Sequence, residues 1–559
     1  MRAAIARSGT STACGPDDLN ILHLKHLGPH GISYLCELYN LSIAHIDIPA
    51  LWKLAIIVAI LKAGKPSSLG TSFRPISLLS PTAKVLEHLI LPDLTEALPV
   101  ASEQHCFRPQ RSTTTALMPL SHAIATGFNQ RKPPTRTVAM AVDFSKAFDT
   151  IPLDLLIGRI VDSNLHPNLK RWLAAYLWGR AACCLYQRAR SGYCPLKAGV
   201  PLGSVISPCL FNTFVSDYPS SADFHTSYAD DFTAAASSTH IEEAADRLSQ
   251  HAAEVSTWAS EQTKHYHAKI ARHTLTSDTH QSHMDPSVSM GPATLPLCRH
   301  PRILGVTFDT HFTFSPHIKN IAESSRSRLG ILKALVGTSW GHQKEVLMCT
   351  YKALIKPIFT YAAPVWFPNA PDSAIGSLQA IQNAALRVAT GSLLMSSVDH
   401  LHRETEVLKV RDNLSLICSQ FLASALRPGH PSHEVVTAPS GPRNIKHTLQ
   451  SRFLPSITHL LSQEGTMDPD LYRESIRLLH TEAVSASITA LDPNRILGTT
   501  PPSIDPEEVV VVVVVVEPPW FLEGRPGQPR HRPCVPCVDL TVWASGHTRL
   551  LQEFDGLSR

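Results

Sequence analysis

Phe224-His-Thr-Ser-Tyr-Ala-Asp-Asp-Phe-Thr-Ala-Ala-Ala236 is the stretch that decides the fold of this chain. Its two arms, Phe224–Ala229 and Phe232–Ala236, read as extended segments, so the stretch predicts a hairpin with Asp230 and Asp231 at its tip. Upstream, Thr137-Val-Ala-Met-Ala-Val-Asp143 is an apolar strand that also ends in an acid. An acid closing a buried strand is costly unless it is solvated, paired or bound to metal. Three such acids brought together make a hard, oxygen-rich site suited to Mg²⁺. Two ions about 3.5–4 Å apart can activate an attacking hydroxyl and stabilise the leaving oxygens in phosphoryl transfer. Each piece alone also fits a plainer reading, with Asp-Asp as an ordinary turn and Asp143 as a strand cap.

Outward from this centre the pattern alternates strand and helix. Gly15-Pro-Asp-Asp18 is a turn whose Asp can cap a helix, and Leu19 to Leu41 carry apolar residues at near-helical spacing, enough for two short helices. Leu54–Leu61 is a continuous apolar run between Lys53 and Lys62 and predicts a buried strand with cationic ends. Thr82–Leu98 has a helical period, with Pro92 as an expected break or kink. Ser145–Ile160 and Ile241–Trp258 read as helices, residues 262–300 as polar and His-rich with little periodicity, and Ile303–Phe308 as a short strand. Helical pattern resumes from Pro316 to Lys356 and again after Pro368 to about Pro493. Lys319, Arg326, Arg328, Lys333, Lys344, Lys352 and Lys356 face only Glu323 and Glu345 in the first of these, a local basic surface.

The chain has 559 residues, 43% of them hydrophobic and 17% charged, with 43 Pro and a formal charge of +4. That is too apolar for a disordered chain and too interrupted for a long coiled coil. The near-balanced charge permits a nucleic-acid partner without arguing for one. The longest mixed apolar run, Ala55–Leu61, is far short of the roughly 18–20 residues that span a bilayer, so no membrane is expected. The 12 Cys are mostly scattered, as suits a reducing compartment. Cys534-Val-Pro-Cys537 with His531 lacks the second ligand pair of a tetrahedral zinc site. Val509–Val516 is a strongly β-prone homopolymer that reads as translated simple repeat.

The words around the acids resemble the reverse transcriptase domain of non-LTR (LINE-type) retrotransposons, in particular the Jockey/Ingi-like group. In order, they are Lys62-Ala-Gly-Lys65, Phe73-Arg-Pro-Ile-Ser-Leu78, Glu103-Gln104 with Phe107-Arg108 and Ser112-Thr-Thr-Thr-Ala116, and Ala141-Val-Asp-Phe-Ser-Lys-Ala-Phe-Asp149. Gly199-Val-Pro-Leu-Gly-Ser204 with Ser207-Pro208 and Leu210-Phe-Asn212, Tyr228-Ala-Asp-Asp231, Leu304-Gly-Val-Thr-Phe-Asp309 and Tyr361-Ala-Ala-Pro-Val-Trp366 complete the series.

The resemblance implies an α+β right-hand polymerase of fingers, palm and thumb with a mostly helical C-terminal region. The expected divisions are an N-terminal extension (1–52), fingers (53–135), palm (136–310), thumb (311–370), helical region (371–495) and a disordered low-complexity tail (496–559). It implies an RNA-directed DNA polymerase using an RNA template, a DNA primer, dNTPs and two Mg²⁺ ions, with Mn²⁺ as a substitute. Nicked chromosomal DNA as the usual primer implies the nucleus.

Carried over residue by residue, Asp143, Asp230 and Asp231 are the catalytic and metal-binding acids, with the Phe144 carbonyl as an extra ligand. Phe148 falls at the steric-gate position, where a ring excludes a ribose 2′-OH. Lys62 or Lys65, with Arg74, would grip the triphosphate. Gly199 and Gly203 would let backbone approach nucleotide and template. Lys269 aligns with a lysine that can act as general acid toward pyrophosphate. Arg326, Arg328 and Lys333 would hold the template–primer backbone.

Two positions depart from the family phrase. Leu202 stands where Gln is usual and cannot make that amide's hydrogen bonds. Cys106 replaces a Gly before Phe107-Arg108. The alternative reading is therefore a catalytically impaired, nucleic-acid-binding remnant. An element of this type is also expected to carry an endonuclease upstream of the first matching block, whereas nothing after residue 370 reads as an RNase H domain.

Overall fold

The computed structural model describes residues 1–9, 12–62, 66–144, 146–186, 189–262, 268–275, 286–291, 293–337, 341–461, 510–514 and 540–544. The chain is α+β and divides into two compact units. One comprises Met1–His317, Pro364–Ala370 and Phe421–Gln463, and the other Ile318–Ala363, Pro371–Gln420 and Glu464–Arg559. Among the described residues no helix is long and apolar enough to cross a membrane.

The first unit holds two principal sheets. In one, β1 (Leu54–Leu61) pairs antiparallel with β2 (Phe73–Leu78) and parallel with β4 (Ala181–Tyr186), which also carries the two-residue strands β5 (Ala189–Arg190) and β6 (Cys194–Pro195). β1 is buried only at Ala55 and Ile56, and its far end is open, with Ile60 and Leu61 exposed. The expected buried strand is therefore buried at one end. On that open end Ile60 stands opposite Arg74.

The other sheet runs in the order β7 (Phe224–Tyr228), β8 (Asp231–Ser238), β3 (Arg136–Phe144), β9 (Ala268–Leu275), antiparallel throughout. Its central strands are buried almost continuously, which is why they read as apolar runs and not as alternating ones. Ala139, Ala234, Ala235 and Ala236 give them small buried side chains, and the amphipathic Ile241–Gln262 helix joins the same core through Leu248, Val255 and Trp258. β9 lies within the polar, His-rich stretch that shows no period; its pairing partner, β3, supplies the reason it is extended.

Helices close the core from the other sides. Ser80 accepts from the Ala83 amide and Pro81 starts the Pro81–Ala97 helix, which runs unbroken past Pro92 because that residue is exposed and water can meet the carbonyl its missing N–H leaves free. Ser112 and Thr115 form a reciprocal capping box at the start of the Thr113–Phe128 helix, so the Ser-Thr-Thr-Thr phrase is a helix start. After Asp143 the chain makes a single 3₁₀ turn, Ala147–Asp149, and becomes helical only at Leu153–Asp162, which corrects the long helix expected from Ser145. Residues 440–447 return to this unit. Asn129, fully buried at the end of the Thr113–Phe128 helix, accepts from the Ile445 and Lys446 amides and donates to the Ser440 and Lys446 carbonyls.

The second unit is helical around Lys344–Leu354, Asp372–Thr390 and Val398–Thr405. Buried Gln382 donates to Tyr351 Oη at 2.8 Å and to the Leu408 carbonyl at 3.1 Å, and Gln379 accepts from the Val410 amide. In the tail expected to be disordered, Val510–Val514 pair antiparallel with Leu540–Ala544. Cys534, Cys537 and His531 lie outside the described residues.

Candidate active site

The register of the second sheet places the acids. Asp143 stands directly opposite Asp231 across the β3–β8 pair, and Asp230 occupies the second position of the two-residue turn joining β7 to β8. Asp231 is thus the first residue of its strand and not part of the hairpin tip, which is Ala229-Asp230. The Phe144 amide donates to the Asp230 carbonyl at 3.5 Å, tying the end of β3 to the turn. Phe144 itself is buried against Phe232 (ring centroids 5.2 Å) and Trp258 (6.0 Å), so the backbone carrying the acids rests on the core.

The carboxyls of Asp230 and Asp231 are perturbed. Burial raises Asp230 above its ordinary value, and the nearby Asp143 charge adds to it. Asp231 is pushed up to about 6, first by burial of the carboxyl and then by the charges of Asp230 and Asp143. Mutual repulsion of this kind is what a bound cation relieves. Among the described residues no three His, Cys, Asp or Glu side chains are close enough to enclose an ion by themselves. Mg²⁺ does not need such a cage; one or two carboxylates with waters and substrate phosphate oxygens satisfy it, so the donor set fits that ion.

On the far side of β3, Lys269 is the register partner of Asp143, so one row across the sheet reads Asp231, Asp143, Lys269. Phe148 follows in the 3₁₀ turn, half-buried, stacked on fully buried Phe211 at 4.3 Å and edge-on to Phe107 at 6.4 Å.

The loop with Gly199, Leu202 and Gly203 is pinned at three points. Gly199 N donates to Ile151 O, Val200 N to Phe148 O, and Ser77 N to Leu202 O at 2.7 Å. Both glycines have positive φ (+86° and +125°), and a Cβ on Gly199 would lie 2.6 Å from Asp149 O, while one on Gly203 would overlap Ser77 O. Neither position admits a side chain. Leu202 is held through its backbone, with its side chain half-buried.

The loop therefore bridges the Phe148 turn and β2, where Arg74 is exposed. Lys62 follows β1 and its amide donates to Ser72 O. Lys65 lies outside the described residues. In the second unit Arg326, Arg328 and Lys333 are all exposed on the Ser315–Ala334 helix, whereas Lys344 is paired with Glu404 at 3.1 Å.

Two residues that the motif reading did not single out for a role hold these pieces. Buried Gln104 accepts from Ala229 N at 2.9 Å and Cys106 N at 3.0 Å and donates to Ala229 O at 3.3 Å. Fully buried Glu87 accepts from Tyr176 Oη and from Val205 N, both at 2.6 Å, with Arg180 beside it; its carboxyl is raised, by burial above all. The signals were a Gln inside the Glu103-Gln104 phrase and an acid on the apolar face of a helix.

A family model described as reverse transcriptase (RNA-dependent DNA polymerase) matches residues 60–275, which include all the acids and both glycines. The chain is 28% identical over 442 residues to the "Probable RNA-directed DNA polymerase from transposon BS" of Drosophila melanogaster, covering 74% of this chain and 47% of that protein. It is 28% identical over 450 residues to the corresponding X-element protein of the same fly, covering 76% and 48%. To the RNA-directed DNA polymerase from mobile element jockey, also of Drosophila melanogaster, it is 26% identical over 445 residues, covering 76% and 47%. The chain spans about half the length of these relatives. Residues 60–275 therefore form a reverse transcriptase domain of the LINE type.

Proposed function

We propose that the chain is an RNA-directed DNA polymerase that extends a DNA 3′-OH on an RNA template. The observation that carries this reading is the register that sets Asp143 against Asp231 with Asp230 at the adjoining turn. In the reaction the primer 3′-oxygen bonds to the α-phosphorus of a dNTP, the bond to the β-phosphate oxygen breaks, and pyrophosphate leaves. Two Mg²⁺ ions, when bound, supply activation of the attacking oxygen and neutralisation of the leaving one.

The chain's own residues do the rest. Asp143, Asp230 and Asp231 offer the carboxylates, and the Phe144 carbonyl is a further oxygen beside them. Arg74 and Lys62 meet the triphosphate, Arg with a fork and Lys with a point charge. Phe148 lies under the sugar. Lys269, in register with Asp143, is the proton donor toward pyrophosphate. Residues 53–135, 136–310 and 311–370 act as fingers, palm and thumb, and Arg326, Arg328 and Lys333 contact template–primer phosphates without reading sequence. The site of action is the nucleus, where a nicked chromosomal end supplies the primer.

A second reading, a nucleic-acid-binding remnant with little polymerase activity, is favoured by Leu202, which leaves the loop without the family's amide, and by Cys106 in place of a glycine. Primer extension on RNA with Mg²⁺ or Mn²⁺ separates the two. Incorporation that disappears in Asp230→Ala, with template–primer binding retained, supports the polymerase. Binding without incorporation by the unaltered protein sinks it in favour of the remnant.

A further inference from the structure

Phe107 combines two features that a merely structural residue avoids. The residue is 53% exposed, and its backbone is left-handed, at φ +59°. A bulky aromatic in that region is strained, and a half-exposed one offsets that strain with less burial than a core ring would. Such a conformation persists only where its surroundings over-determine it.

They do so here on both sides. Cys106 N donates to Gln104 Oε1, and Cys106 O accepts from the buried Asn212 amide at 3.0 Å. Beyond the ring, Arg108 donates to Ala101 O at 2.8 Å and Gln104 O at 3.2 Å, and Arg111 to Ser102 O and Gln104 O.

The direction in which the ring is held is informative. It meets Phe148 edge-on, ring planes at 89°, and Phe148 in turn stacks on Phe211, at 16°. The three rings form a row from the core to the surface with Phe107 outermost. Burial raises the preceding Cys106 thiol, which hydrogen-bonds Tyr228, and the charges of Asp230 and Asp231 are near enough to raise it further. Phe107 thus packs its ring against Phe148 from a segment that Gln104 ties, through Cys106 N and Ala229 N, to the acid turn.

We propose that Phe107 is a specificity-determining residue, the outer wall that keeps Phe148 against the deoxyribose and prevents it from swinging aside for a 2′-OH. This rests on the proposed placement of Phe148 under the sugar.

The test compares kcat/KM for dNTP and rNTP incorporation on an RNA template in Phe107→Gly, Phe107→Leu, Phe148→Ala and the Phe107→Gly/Phe148→Ala double variant. Glycine accepts φ +59° without strain, so Phe107→Gly keeps or raises the thermal midpoint and still lowers dNTP-over-rNTP discrimination by about 10-fold or more. Phe107→Leu, which keeps bulk but not the edge contact, falls between. The double variant is no less discriminating than Phe148→Ala alone, because both act through one ring.

If dNTP and rNTP efficiencies change by the same factor in Phe107→Gly, the ring serves a base or the fold, and the proposal fails while the Phe148 gate stands. If Phe148→Ala itself leaves discrimination unchanged, the gate reading fails, and this inference with it. Should the unaltered protein incorporate neither nucleotide, dNTP and rNTP are compared as stabilisers of the complex with a 3′-deoxy-terminated primer, under the same criterion.

Discussion

The side-chain amide of Gln104 closes on both backbone groups of Ala229, accepting from its N–H at 2.9 Å and donating to its carbonyl at 3.3 Å. Ala229 is the first residue of the turn that presents Asp230, and its φ of +55° is one that glycine usually fills in two-residue hairpins. Both backbone groups of the strained residue at the acid turn are thus met by one buried amide from a loop 125 residues away in sequence.

Gln104→Leu leaves the Ala229 and Cys106 amides without an acceptor, at about 1–3 kcal/mol each. The expected outcome is a lower thermal midpoint and a fall in kcat for primer extension, with template–primer affinity unchanged. Gln104→Glu keeps the acceptor but loses the donor and adds a charge near Asp230. It should remain folded yet also extend primers poorly. Thermal unfolding with steady-state extension checks both.

Glu87 connects the Pro81–Ala97 helix to the glycine loop through Val205 N and to the Pro167–Leu177 helix through Tyr176. Arg180, whose guanidinium lies 4.8 Å over the Tyr176 ring, is the nearby positive charge. Glu87→Leu leaves the buried Tyr176 hydroxyl and Val205 amide without their acceptor, at about 1–3 kcal/mol each. Glu87→Gln keeps the shape and one acceptor and should lose less. Urea unfolding midpoints at constant slope give the measurement.

Gly203→Ala forces a Cβ toward Ser77 O at φ +125°, so the Ser77–Leu202 bond must open. A cost of about 1–3 kcal/mol is expected, with KM for dNTP raised. Leu202→Gln, by contrast, changes a side chain whose backbone is already anchored. It should leave the thermal midpoint in place and lower KM, because an amide can donate and accept where leucine does neither.

Two sets of groups make stability depend on pH with opposite signs. Burial holds His105, His251, His273 and His317 at about 4, so the unfolded chain takes up their protons first as pH falls below about 6.5. Stability is lost between there and about 4. Asp231, at about 6 against an ordinary 3.8, binds its proton first in the folded state and contributes stability as pH falls through the same window. The four histidines outweigh it, and the thermal midpoint should drop from pH 7 to pH 5. Asp231→Asn should be more stable than the unaltered protein at pH 7.5 without divalent ions and lose that advantage near pH 4.5. Added Mg²⁺ at pH 7.5 should reverse the order. Calorimetry across pH, with and without Mg²⁺, reads all three.

The strands of the acid sheet were legible because β3 and β8 are buried along nearly their whole length and so appear as apolar runs ending or starting in an acid. β9 was not, because a strand made of Ala268-Lys-Ile-Ala-Arg-His-Thr-Leu275 owes its conformation to β3 and not to its own pattern. The helix expected from Ser145 failed for a related reason. Lys146 is left-handed at φ +56°, and the glycine loop, bonded to Phe148 O and Ile151 O, occupies the backbone that a helix would need.

By itself the sequence determined which acids, glycines and cations stand in the motifs proposed to carry the chemistry and in what order, since residue type, the apolar runs of the strands and motif spacing are local properties. Only the tertiary structure decided which of them meet. Asp143 has Asp231 on one side and Lys269 on the other, Gln104 reaches Ala229, and Glu87 reaches Val205 across 118 residues. Those pairings arise because distant segments share one core and satisfy each other's buried polar groups, and no local window of sequence contains that information.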